Sequence, residues 1–337
     1  MTFKKFIFIF TLMLGTLIAI SSYSWMGMWL GLEINLLSII PLMTSSENSM
    51  TSEATMKYFI SQTLASTMLL LSLILMSIYN NYWMSHSSLS LIYMTALFIK
   101  MGAAPFHFWF PEIMEGLSWS NSFIMLTWQK IAPMTLISYS NFENINYLTF
   151  IVIFSSMISG IMGMNQTNLR KILAYSSINH ISWMLAAMLF FENIWIYYFI
   201  IYTIITMNII IILKKLNIYY MSQLFSNLNN HPLIKFFFML NFMSLGGLPP
   251  FLGFLPKWLT IQILIKMQLF SLSLIMIILT LITLFFYMRI ISLSMTMNIN
   301  NNLTMKNSYM KQFNNIYLIN FIVLMSLLLI TIFFNLY

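Results

Sequence analysis

Four ionisable residues lie deep inside apolar stretches: Glu33 in WMGMWLGLEINLLSIIPL, Lys100 in LIYMTALFIKMGAAP, Lys130 in FIMLTWQKIAPM and Lys257 in LGGLPPFLGFLPKW. If these stretches cross a bilayer, each charge at its centre costs about 3 kcal/mol on insertion scales. Four unpaired charges would then cost roughly 10 kcal/mol, as much as the stability of an ordinary domain. They must pair, hydrate or change protonation state. Burial disfavours an ammonium and a nearby carboxylate restores it. A buried lysine with a movable carboxylate neighbour can therefore load and release a proton. If Glu33 and Lys100 approach to about 4 Å, their attraction at an effective dielectric of about 20 is about 4 kcal/mol. The structural alternatives are snorkelling and a static salt bridge that orders a helix bundle. That alternative is strongest for Lys257, the least central of the four.

Three further residues are candidate relays. His180, in YSSINHISWML, sits mid-segment beside Ser176, Ser177 and Asn179, where a neutral imidazole suits a proton path and equally suits packing. His107 and Glu112, in GAAPFHFWFPE, would serve either a proton path or the capping of a broken helix. His86 and His231 read as loop residues. Asn35 and Gln129, next to Glu33 and Lys130, have the chemistry for hydrogen bonds between helices.

The elements that would hold these residues follow from composition. Hydrophobic residues make up 60% of the 337, and charged residues only 7%, where a soluble domain carries about 25%. The bilayer is the solvent such a chain needs, and helices or closed barrels alone satisfy the backbone there. The apolar runs are continuous rather than alternating, so the expected fold is an all-α polytopic membrane protein. About eleven spans are expected, near 5–21, 25–43, 56–79, 88–112, 118–138, 146–165, 170–190, 193–213, 234–265, 269–291 and 316–335. Lys4 and Lys5 before the first run resemble a signal-peptide start, but the small-residue site after it is poor, so a retained helix is expected. Polar stretches are limited to 44–53, 217–231 and 298–315.

Two of the eleven segments are too long and are interrupted by Gly and Pro, at 102–105 and at 246–256. Proline removes a ladder bond and clashes with the preceding turn, so two broken helices are expected. They stand fourth among spans one to five and fourth among spans six to ten. An odd number of crossings inverts the second set, as in inverted-repeat transporters. The expected organisation is a single membrane domain: 1–140 and 145–292 as inverted five-helix repeats, with 315–337 a terminal helix. The repeat rests on position and breaks, because the two halves show no clear residue identity. Threaded through eleven spans, Lys4, Lys5, Lys57, Arg170, Lys171, Lys214, Lys215, Lys235, Arg289, Lys306 and Lys311 fall on the N-terminal side. Lys266 alone falls opposite. By the positive-inside rule the N-terminus is inside and the C-terminus outside.

The net charge of +8 is scattered over loop ends, which argues for topology and against nucleic acid. The chain has no cysteine, which excludes disulfides, thiolate metal sites, iron–sulfur ligation and a Cys nucleophile. No phosphate loop, metal-ligand spacing or nucleophile–base pair is present. The chain alone is expected to bind no cofactor and no metal.

WMGMWLGLEINLLSIIPL, KMGAAPFHFWFPEIMEGL, TWQKIAP, NQTNLRKILAYSSINHISWM and SLGGLPPFLGFLPKW resemble the subunit 2 family of mitochondrial respiratory complex I, in an insect or other arthropod version. The resemblance covers most of the chain and is weakest at its ends. It implies an antiporter-like fold in which Glu33 tunes Lys100, the first channel lysine, while Lys130 connects and Lys257 serves the second half. It also implies proton translocation across the mitochondrial inner membrane, with the N-terminus in the matrix and the C-terminus in the intermembrane space. NADH, FMN, iron–sulfur clusters and ubiquinone would belong to other subunits. Partners would be the other membrane-arm subunits, antiporter-like ones included, and phospholipids such as cardiolipin. Two other functions fit the residues: a stand-alone cation/proton antiporter, and a structural subunit with an inert charge row.

Overall fold

A computed structural model describes residues 2–44, 48–78, 86–140, 144–228, 232–249, 251–296 and 320–321. Among the described residues the chain is all helix, with no strand and one isolated antiparallel bridge, Asn168 to Tyr220. The first helices are α1 (Thr2–Ser21), α2 (Trp25–Met43), α3 (Ser49–Ile78), α4 (His86–Met101), α5 (Trp109–Gly116), α6 (Trp119–Leu126) and α7 (Trp128–Tyr139). They are followed by α8 (Ile145–Met164), α9 (Leu169–Met188), α10 (Glu192–Leu216), α11 (Met221–Leu228), α12 (Pro232–Gly246), α13 (Phe254–Lys266) and α14 (Phe270–Thr296). Five of them, α2, α3, α8, α10 and α14, are long and apolar enough to cross a membrane by length and composition. The expected terminal helix at 315–337, apart from 320–321, lies outside the described residues, as do His231, Lys306 and Lys311.

The chain divides into two compact units, Met1–Ser155 and Ser156–Tyr337. The division falls inside α8. In the first unit α1 packs on α2, α2 on α3, and α3 on α4 and α5, while α7 packs on α4. Small residues permit the close crossings. A Cβ at Gly31 would lie 2.5 Å from the Ala19 nitrogen, and one at Gly116 would lie 2.5 Å from the Met50 carbonyl oxygen. Association in lipid depends on such close packing, because apolar burial between helices gains nothing there. Phe3, Phe6, Phe10, Leu14 and Leu17 stay exposed along α1, as lipid-facing residues do.

In the second unit α9 is buried on every side from Ile172 to Met188, among α10, α13 and α14. The 217–231 stretch is not a plain polar connection. Asn217 ends α10 in the left-handed conformation at φ 50°, and α11 follows with Met221, Leu224 and Leu228 buried on one face. The Leu169 amide donates to the Tyr219 carbonyl at 2.9 Å and the Met221 amide to that of Thr167 at 3.1 Å. A bridge this short carries no alternation, so its sequence gave no signal.

The interruptions at both Gly/Pro clusters are present, between Met101 and Trp109 and between Gly246 and Phe254. Pro256, expected within the second interruption, instead lies in the first turn of α13, as Pro111 lies in the first turn of α5. Those positions lack an intrahelical partner for the missing N–H anyway. A third discontinuity, unforeseen, separates α6 from α7 at Thr127 (φ −118°, ψ −73°). The Thr127 hydroxyl donates to the Phe123 carbonyl at 2.7 Å, and Pro133, which has no N–H, cannot donate to the carbonyl of Gln129.

The two Gly/Pro interruptions are built alike. Gly102 and Gly247 have φ of 73° and 75°. Their amides donate to Ile99 and Ser244 at 3.2 and 3.0 Å, and the next amides, Ala103 and Leu248, reach back to Phe98 and Met243 at 3.1 and 3.3 Å. Phe106 then bonds Ala103 as Phe251 bonds Leu248. At this one constant spacing the sequences GAAPFHFWFPE and GLPPFLGFLPK share Gly, Pro, Phe and Pro. Residue identity between the halves therefore exists locally, and Glu112 occupies the place of Lys257.

Candidate proton-transfer site

Each of the three buried lysines flanks an interruption. Lys100 is in the last turn of α4, Lys130 in the first turn of α7 and Lys257 in the first turn of α13. Their exposures are 6%, 1% and 6%. A break frees backbone carbonyls and lets polar groups gather, which is what a buried ammonium needs.

In the first unit Lys100 lines a small polar cavity with Asn35, Tyr58, Gln62 and Gln129. The cavity has room for about one water. Tyr58 Oη donates to Gln129 Oε1 at 3.4 Å, and Gln129 Nε2 donates to Asn35 Oδ1 at 3.2 Å. Gln62 Nε2 donates to the Lys100 carbonyl at 3.4 Å. Asn35 and Gln129 thus bond across helices as their chemistry implied. Glu33 is half-buried, one of its carboxylate oxygens is buried without a hydrogen-bond partner, and it lies within electrostatic reach of Lys100 and Tyr58. It is not an ion-pair partner of Lys100. Lys57 instead forms salt bridges to Glu53 and Glu112, both at 2.8 Å. The close approach assumed for Glu33 and Lys100 is therefore not found. Lys130 Nζ stands 5.3 Å over the Phe110 ring, a cation–π geometry.

His107 is buried within the first interruption, with Nδ1 3.3 Å from the Pro105 carbonyl. Glu112 lies in the first turn of α5 with its side chain 56% exposed and bonded to Lys57. A carboxylate in a helix's first turn complements its dipole, which favours the capping reading. Lys57 had counted only as a topology charge, because nothing in sequence brings residues 57 and 112 together.

In the second unit Lys257 Nζ donates to the Gly246 carbonyl at 2.8 Å and lies 5.8 Å over the Trp183 ring. The ammonium thus meets the carbonyl end of α12, the negative end of its dipole. His180 is buried, with Nδ1 hydrogen-bonded to Tyr198 Oη at 2.9 Å and its ring centroid 4.8 Å from that of Tyr202. Asn179 Nδ2 donates to Thr283 Oγ1 at 3.3 Å. Ser176 and Ser177 bond back to the carbonyls of Leu173 and Ala174. Tyr198 and Tyr202 are fully buried against His180, and the sequence reading gives them no role. The four-residue spacing of Tyr198 and Tyr202, which shares one helix face, was the available signal. No group of three or more His, Cys, Asp or Glu among the described residues could hold a metal ion.

Residues 22–283 match the family described as NADH:quinone oxidoreductase/Mrp antiporter, transmembrane. The chain belongs to that family. It is 47% identical over 330 residues to the NADH-ubiquinone oxidoreductase chain 2 of Anopheles gambiae, covering 96% of both chains. It is 50% identical over 333 residues to the protein of that name from Aedes aegypti, covering 97% of this chain and 96% of the relative. A chain of respiratory complex I from Thermus thermophilus has the same fold, with a TM-score of 0.83 at 20% identity, over 97% of this chain and 78% of that one.

Proposed function

We propose that the chain is a proton-translocating membrane-arm subunit of respiratory complex I in the mitochondrial inner membrane. The observation that carries this is the placement of Lys100, Lys130 and Lys257, each buried and each at a helix interruption. Glu33 biases Lys100 from beyond ion-pair distance, and a modest change in that separation alters whether the lysine holds its proton. Lys130 is the connecting lysine that the family motif implies, and His180, His107 and Glu112 are relay candidates. The chain has eleven spans, in two inverted five-helix repeats and a terminal helix, with the N-terminus in the matrix and the C-terminus in the intermembrane space. The matched construction of the two interruptions supports the repeat. Redox chemistry with NADH, FMN, iron–sulfur clusters and ubiquinone belongs to partner subunits, and cardiolipin-type lipids fill the periphery.

A second reading has a specific observation behind it. The Lys257 ammonium is already satisfied by the Gly246 carbonyl, as a static clamp would be. The experiment that separates the two is proton stoichiometry per electron in assembled complex carrying Lys100→Met or Lys257→Met. Loss of stoichiometry with redox turnover retained is expected. Wild-type stoichiometry in both variants establishes the static reading. Co-migration of the chain with NADH dehydrogenase activity on a native gel tests membership of the complex, and migration apart from it excludes that membership.

A further inference from the structure

Gly247 is the point at which the second interruption and the Lys257 side chain meet. Its φ of 75° is in the left-handed region. A Cβ built there would lie 2.7 Å from Lys257 Cδ and 3.0 Å from both Cε and Nζ. The stem of the lysine therefore lies in the space a side chain at 247 would take. From that slot Nζ reaches the Gly246 carbonyl at 2.8 Å. The crowded atoms belong to a flexible stem, so a side chain at 247 is relieved by moving the lysine rather than the backbone.

The neighbouring glycines separate this demand from others. A Cβ at Gly246 would meet nothing closer than Tyr287 Cδ2 at 3.6 Å, an ordinary contact. Gly102, the equivalent residue of the first interruption, shares the left-handed conformation at φ 73°, but a Cβ there would meet Phe110 and Trp109 instead of a lysine. The backbone conformation is thus common to both interruptions, and the lysine slot belongs to the second. Asparagine visits the left-handed region readily and so meets the first demand while still filling the slot.

We propose that Gly247 is the positioning residue for Lys257: by lacking a side chain it directs the lysine stem across the interruption and sets the ammonium on the carbonyl end of α12. This rests on the reading of Lys257 as a proton carrier. The test uses assembled complex carrying Gly247→Asn, Gly247→Ala, Gly246→Ala or Lys257→Met. Three quantities are read: NADH–quinone turnover, protons moved per electron, and the Lys257 Nζ position by electron cryomicroscopy. The expected result is wild-type behaviour for Gly246→Ala. Both Gly247 variants should lose protons per electron to the same extent as Lys257→Met, with Nζ displaced from Gly246. Gly247→Asn with Nζ still on the Gly246 carbonyl, or with Nζ displaced and stoichiometry unchanged while Lys257→Met is impaired, overturns the proposal. Wild-type stoichiometry in Lys257→Met overturns the proton-carrier reading instead, and the Nζ position in Gly247→Asn still decides the positioning role. If Gly247→Asn fails to assemble, adding Lys257→Ala should restore assembly by emptying the slot, and continued failure counts against the proposal.

Discussion

At the scale of single residues, the coupling proposed between Glu33 and Lys100 is graded rather than all-or-none. They are not in ion-pair contact, yet they act on each other electrostatically. Coulomb attraction falls with distance, so in the proposed mechanism Glu33 is a partial and not the sole influence on Lys100. Lys100→Met is expected to abolish the protons moved through this chain, with redox turnover retained. Lys100→Arg should fail equally, because a guanidinium does not release its proton. Glu33→Gln should reduce protons per electron by less than Lys100→Met does. Proton and electron fluxes measured together in reconstituted complex check all three, and an Arg variant that pumps normally would exclude proton release from residue 100. Gln129 tests the polar row beside them. Gln129→Leu removes the partner of both Tyr58 and Asn35, and each buried group left unpaired costs about 1–3 kcal/mol. Thermal inactivation of the assembled complex should shift to lower temperature, and an unchanged midpoint would mean that water replaces the lost bonds.

At the scale of elements, the interruptions decide where charge can sit. Lys100 and the Lys257 ammonium both stand at helix carbonyl ends, where the dipole favours a cation. Lys130 is at the amino end of α7, where the dipole opposes one, and the Phe110 ring is its observed compensation. Close helix crossings hold these ends in place. A Cβ at Gly31 would already press on the Ala19 backbone at 2.5 Å, so Gly31→Val forces the two backbones apart. Overpacking of this kind costs about 1–3 kcal/mol. Less assembled complex on native gels after mild heating is the expected outcome, and full heat resistance would show that α1 docks elsewhere.

At the scale of the whole molecule, the unequal loop charge predicts orientation. Single cysteines introduced near residues 3 and 336 of this cysteine-free chain should label from opposite sides of sealed inner-membrane vesicles. Labelling of both from the matrix side would refute an odd number of crossings.

Composition pointed to the bilayer as solvent, because 7% charge leaves no other way to cover the surface, and the continuity of the apolar runs pointed to helices and singled out Glu33, Lys100, Lys130 and Lys257 as charges within them. The Gly/Pro clusters at 102–105 and 246–256 announced their interruptions, since proline acts through its own missing N–H and needs no tertiary context. Thr127 gave no such notice: a threonine bends a helix only when its hydroxyl bonds the backbone, and neighbours decide that. The Lys57–Glu112 pair, the tyrosines around His180 and the Gly247 slot were likewise invisible. Each joins residues from different helices or turns on a backbone φ, and these are fixed only when the helices pack. Hydrophobic pattern therefore specifies which segments enter the membrane, while the partner of each buried charge is set by which helix ends the fold brings together.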